Sequence, residues 1–167
     1  VLFLIFFSKN TISYANSQPN YISQPQTSIV TSEIPKKITI SKIGVLVEVK
    51  PADISNDTWE LFEKEASFGR GTAPLNSETG NTAIFAHAKS GLFAKLSELA
   101  VGDVINVESS KSTHSYLVSE KLYVEPTDTS FIYKDYGKSL MLFTCYGEND
   151  EKRVLIVAKQ VNKGSND

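Results

Sequence analysis

Cysteine occurs once in these 167 residues, at Cys145, so no disulfide can form within the chain. Histidine occurs twice, at His87 and His114, and neither a CxxC nor an HExxH spacing is present, which leaves no recognisable zinc site. Positive charge is not in excess: the formal net charge is −2, which offers no field to a nucleic-acid backbone. Long apolar runs are missing too. The longest, VLFLIFF at residues 1–7, falls short of the roughly 20 residues that a membrane-spanning helix needs. What remains is a composition of 41% hydrophobic and 22% charged residues, that of a soluble globular domain, in a chain long enough for one domain with a substantial core.

The chain divides by composition. Residues 1–9 read as the remnant of an N-terminal membrane anchor or of a signal segment, with Ser13-Tyr14-Ala15 a passable cleavage site, and either reading implies export. Residues 10–35 are rich in Ser, Thr, Asn, Gln and Pro with Glu33 as the only charge, a composition unable to repay its chain entropy by burial, and are expected to be a disordered linker. From Lys36 to about residue 162 the pattern changes to short β-rich runs: KITI, VLVEVK, NTAIFAHA, DVINVE, SYLVSEKLYVEP, LMLFTCY and RVLIVAKQV, most of them bounded by turn formers. That is the pattern of a β-barrel or sandwich, with residues 163–167 as a tail. GLFAKLSELAVGD predicts a helix carrying Leu92, Leu96 and Leu99 on one face, with Gly102 just past its end. SNDTWELFEKE predicts a second, weaker one, capped by Asp57 and turning Trp59, Phe62 and Ala66 inward.

The lone cysteine lies where two of these runs meet. If LMLFTCY and RVLIVAKQV pair as an antiparallel hairpin symmetric about Asn149, Cys145 falls opposite Arg153, on the same face with Cβ atoms about 5 Å apart. A guanidinium beside a thiol favours the thiolate and stabilises an oxyanion that develops on a carbonyl under attack. Thiolate chemistry also needs a proton carrier. His87 sits at a strand-to-turn junction, where functional side chains are commonly displayed, and is favoured over His114, which begins a strand among polar residues. The plain alternative for such a trio is two surface histidines and a buried, inert cysteine.

The order of these features resembles the sortases, cysteine transpeptidases of bacterial cell surfaces. Met141-Leu142-Phe143-Thr144-Cys145 matches the family's Thr-Leu-X-Thr-Cys motif except at its first position, and Arg153 opens the following strand as the family's arginine does. Asn81, Ile84 and His87 in NTAIFAH match Asn-X-X-Ile-X-Gly-His, with Ala86 where Gly is usual; Phe93, Leu96, Gly102 and Asp103 match the downstream segment. The resemblance spans about Lys36 to Val161.

It implies a mainly β fold, a closed eight-stranded sortase-like β-barrel with short helices. It implies also a catalytic set of His87, Cys145 and Arg153, and a substrate-binding contribution from Thr144. The expected reaction cleaves a C-terminal sorting signal of the Leu-Pro-X-Thr-Gly type through a thioester and transfers the secreted substrate protein to an amine of peptidoglycan or of another protein. No cofactor or metal is implied, and no nucleic-acid partner. The expected location is the cell surface, outside the cytoplasm, with the N-terminal segment as membrane anchor. The Asp-Pro-aromatic segment usual before the barrel in pilin-assembling members does not occur, so pilus polymerisation is the less expected role. Recognition falls mainly on the connection PTDTSFIYKDYGKS. Two other readings are a hydrolytic cysteine protease, which would yield a free acid, and a noncatalytic β-barrel that binds peptides with its cysteine merely buried.

Overall fold

A computed structural model describes residues 31–161 except Asp57. Eight strands close into a barrel in the order β1-β2-β5-β6-β9-β10-β8-β7. They are β1 (Lys37–Ile40), β2 (Val45–Ala52), β5 (Ala66–Gly69), β6 (Asn81–Phe85), β7 (Val104–Glu108), β8 (Thr113–Val124), β9 (Ser139–Tyr146) and β10 (Lys152–Gln160). A two-residue pair, β3 (Ile54–Ser55) and β4 (Thr58–Trp59), forms a separate small hairpin. Closure removes every free strand edge from the main sheet. Most neighbours are antiparallel, but β2 runs parallel to β5 and β6 parallel to β9.

Period-two alternation sorts the side chains. Ile38, Ile40, Val45, Val49, Ile84, Leu140, Leu142, Val154 and Ile156 point inward and form the barrel core with Phe93, Leu96 and Leu99 from the β6–β7 connection. The opposite residues of β6, β9 and β10 are not left to water. Ala83, Met141, Leu155 and Val157 are buried on the outer face beneath Phe131 and Tyr136. Those two come from the β8–β9 connection, which carries the one-turn helix α1 (Ser130–Tyr133). Burial on both faces explains why LMLF and VLIV read as continuous apolar runs rather than alternating ones.

Both predicted helices are corrected. In GLFAKLSELAVGD only Leu96–Glu98 forms a 3₁₀ turn, closed by Leu99 N–H donating to Leu96 O at 3.2 Å; the three leucines are buried as the spacing requires, but in successive tight turns. Gly102 does take the left-handed conformation, at φ +93°, and its N–H donates across to Val118 O. SNDTWELFEKE is not helical. Its first half is the β3–β4 hairpin, turning at Asn56 with φ +50°, a conformation that asparagine tolerates; the expected cap Asp57 lies outside the described residues. A segment this short has little helical stability of its own, and docking of Trp59 decides its shape. The strand β5 (ASFG), which carries no run of β-formers, is held between β2 and β6.

The chain joins the barrel before Lys36. Leu75 N–H donates to Glu33 O at 2.9 Å, and the Glu33 carboxylate accepts from Ser109 and Ser112 and lies 3.0 Å from His114 Nε2. Residues 31–35, expected to belong to the linker, are thus fastened to the barrel. Residues 1–9, expected as anchor or signal remnant, lie outside the described residues. No helix among the described residues is long and apolar enough to cross a membrane.

Candidate active site

The hairpin register is the symmetric one: Cys145 pairs with Arg153, flanked by Tyr146 with Lys152 and Thr144 with Val154. The connection between them, Gly147 to Glu151, turns through Asp150 at φ +57°. Cys145 shares its side of β9 with Met141 and Phe143, and Arg153 shares its side of β10 with Leu155, so both face away from the barrel core. The thiol is partly exposed and unpaired. Among the described residues, the Arg153 guanidinium bonds only to backbone carbonyls, those of Asp150 at 3.1 Å and Lys152 at 3.2 Å. Arg153 and Cys145 border the same cavity.

His87 reaches this face by the other ladder. β6 and β9 pair in parallel with a constant offset, Asn81 with Ser139 through Phe85 with Phe143. Beyond Phe85 the ladder ends, and the buried Thr144 hydroxyl takes it over by donating to Ala86 O at 2.7 Å. Carried two residues past the last pair, the same offset of 58 residues would match His87 with Cys145, since 145 − 87 = 58. The imidazole is 27% exposed, with Nε2 3.4 Å from Glu63 Oε1, while the second Glu63 oxygen pairs with Lys89. The Lys89 ammonium, and His87 after it, hold the Glu63 carboxyl below the usual carboxylate range. Phe93 N–H donates to His87 O at 3.2 Å, which ties the turn after the histidine.

Beside the sulfur lies an apolar cavity of about 220 Å³ bounded by Trp59, Leu61, Phe85, Phe143 and Arg153, with Thr144 at its edge. Aromatic stacking builds its floor and wall: Trp59 on Phe85 with ring centroids 5.5 Å apart, Phe85 on Phe143 at 5.0 Å, and Phe131 edge-on to Phe143 at 5.4 Å. Trp59 is anchored by its indole N–H, which donates to Arg70 O at 3.1 Å, and it lies over Gly69, where a Cβ would come within 2.9 Å of the ring.

Of the expected residues, the structure pairs Cys145 with Arg153 across the β9–β10 hairpin, and both border one cavity; His87 follows Ala86, whose carbonyl is bonded to Thr144. The Thr144 hydroxyl is thus committed to the chain that carries His87. His114 is elsewhere, 11% exposed between Glu33 and Gln160. Sequence reasoning missed Trp59 as a cavity wall, because it was placed on a helix, and missed Glu63, for which a lone acidic residue in a charged stretch gives no signal. Among the described residues no cluster of three or more metal-ligating side chains is gathered.

A closed β-barrel with a thiol and a guanidinium exposed together on its outer face defines a cysteine enzyme suited to acyl chemistry. Residues 38–161 match the model of the sortase domain, and the chain belongs to the sortase family, cysteine transpeptidases of the bacterial cell surface. Solved structures agree in fold. Sortase C2 of pilus island 1 from group B Streptococcus superposes with a TM-score of 0.66 at 22% identity, over 79% of this chain and 76% of that one. Sortase A from Corynebacterium diphtheriae gives 0.67 at 22% identity, over 82% and 65% of the two chains. Sortase C from Clostridium perfringens SM101 gives 0.64 at 21%, over 78% and 71%. A comparison with curated protein sequences yields no match.

Proposed function

We propose that Cys145 is the nucleophile of a transpeptidation in which His87 moves the proton and Arg153 holds the oxyanion. The Cys145 thiolate attacks the carbonyl of the threonine in a Leu-Pro-X-Thr-Gly-type signal, and the carbonyl electrons move to an oxygen held by the Arg153 guanidinium. Collapse breaks the Thr–Gly bond, with protonated His87 giving its proton to the leaving amine, and a thioester on Cys145 remains. An incoming amine then loses a proton to His87, attacks the thioester and releases the thiolate. Thr144 acts one step back: its bond to Ala86 O sets the position of His87.

The single observation that supports this reading is the register that sets Cys145 opposite Arg153, on the side of the hairpin away from the barrel core. The substrate is a secreted protein with a C-terminal sorting signal, and the acceptor an amine of peptidoglycan or of another protein. The enzyme works outside the cytoplasm, held at the membrane by an N-terminal anchor of which residues 1–9 are the remnant. Incubation with Leu-Pro-X-Thr-Gly peptides and a panel of amines, read by mass spectrometry, tests this. Ligated amide that disappears in Cys145→Ala is expected. Free acid alone in the presence of amine would assign a hydrolytic protease instead, and no turnover of any peptide would remove the reading.

A further inference from the structure

The cavity beside Cys145 is one end of a longer cleft. It adjoins a second of about 350 Å³, with Trp59, Phe143 and Arg153 on the border of both, and that one adjoins a third of about 520 Å³ reaching Thr79, Asn81 and Lys134. One bank is the β3–β4 hairpin, the other α1. Two large apolar side chains, Ile54 on the first bank and Tyr133 on the second, border both the second and third cavities and are 62% and 84% exposed. Side chains of this size left in water along a continuous groove are suited to an apolar ligand.

The length of this cleft exceeds the motif that the reaction needs. Asn81 lies six residues before His87 along β6 and its extension, about 20 Å at the rise of a strand, and an extended peptide covers that span with about six residues. Cys145 borders the first cavity and neither of the other two, so an acyl chain occupying the joined cavities runs from the sulfur through the second toward Asn81. Counting back from the scissile bond, Leu-Pro-X-Thr accounts for four residues.

We infer that the third cavity is a distal subsite for the substrate's own chain upstream of the sorting motif, taking an apolar side chain about six residues before the scissile bond between Ile54 and Tyr133. The inference rests on the catalytic assignment of Cys145, His87 and Arg153. It makes the enzyme a reader of about seven residues, with selectivity supplied by sequence that the four-residue motif lacks.

The test compares acetylated Leu-Pro-Ala-Thr-Gly with the same core extended by three N-terminal residues, the middle one Leu or Ser, in wild type and in Thr79→Trp, which fills the third cavity from an exposed position. The Leu-extended peptide is expected to gain about tenfold in kcat/KM over the short one, a change worth about 1.4 kcal/mol and of the order of a partly buried leucine. The Ser-extended peptide is expected to gain little, and in Thr79→Trp the long-to-short ratio falls toward one. A wild-type ratio near one, with the short peptide turned over, overturns the distal subsite and leaves the catalytic assignment standing. A gain that survives Thr79→Trp overturns its location. No turnover of either peptide removes the catalytic reading and this inference with it.

Discussion

Backbone register sets Cys145 opposite Arg153, so single substitutions separate chemistry from folding. Cys145→Ala removes a partly exposed sulfur at little packing cost; thermal unfolding close to wild type with no peptide turnover is expected, checked by circular dichroism and mass spectrometry. Arg153→Lys keeps the charge but loses the planar fork that the proposed reaction sets on the oxyanion, and kcat/KM should fall by about 100-fold or more, the scale of a lost oxyanion donor. The two histidines should part cleanly. His87→Ala abolishes turnover, whereas His114→Ala leaves kcat/KM near wild type and lowers the melting temperature, because Glu33 loses a partner. The pairing of Cys145 with Arg153 was legible in the sequence, since hairpin spacing is local. The partner of His87 was not: Glu63 comes near only when the β4–β5 connection folds back over β6.

At the scale of elements, the link between β6 and β9 and the hairpin over Gly69 decide the shape of the cleft. Thr144→Val deletes the hydroxyl that ties Ala86 O, and urea unfolding should show a loss of about 1–3 kcal/mol, with Thr144→Ser recovering most of it. Gly69→Ala drives a methyl to within 2.9 Å of Trp59 and should lift the hairpin. Trp59 is the only tryptophan, so its fluorescence reports this directly: emission is expected to shift red and KM for sorting peptides to rise. Neither β5 nor this hairpin was visible in sequence. ASFG is short and poor in β-formers, and becomes a strand only because β2 and β6 lie on either side of it. The helical periodicity read into SNDTWELFEKE lost to a stacking contact with Phe85, a residue of a distant strand.

Across the whole molecule, one acid is a main tie between residues 31–35 and the barrel. Glu33 accepts from His114, Ser112 and Ser109, and these bonds lower its pKa from the ordinary 4.5 to about 2. The depressed folded value means that the contribution is complete above about pH 4.5 and is lost as pH falls toward 2, where the carboxylate takes up its proton. Melting curves between pH 6 and 2 should therefore drop more steeply for wild type than for Glu33→Gln, which starts lower and has no such proton to gain. Equal slopes would show that the acid contributes nothing to holding this segment down.

The sequence by itself determined the chemistry on offer and the strands that present it: a lone cysteine opposite an arginine in a hairpin, one histidine at a strand end, and short β-rich runs that fit a β-barrel or sandwich. These are local properties, carried by residues a few positions apart. The parallel pairing of β6 with β9, the covering of their outer face by the β8–β9 connection, and the Trp59 wall were decided only by tertiary structure. Each joins segments tens of residues apart. Their choice depends on where the whole chain finds apolar surface still unburied once the barrel has closed, a quantity that no short stretch of sequence contains.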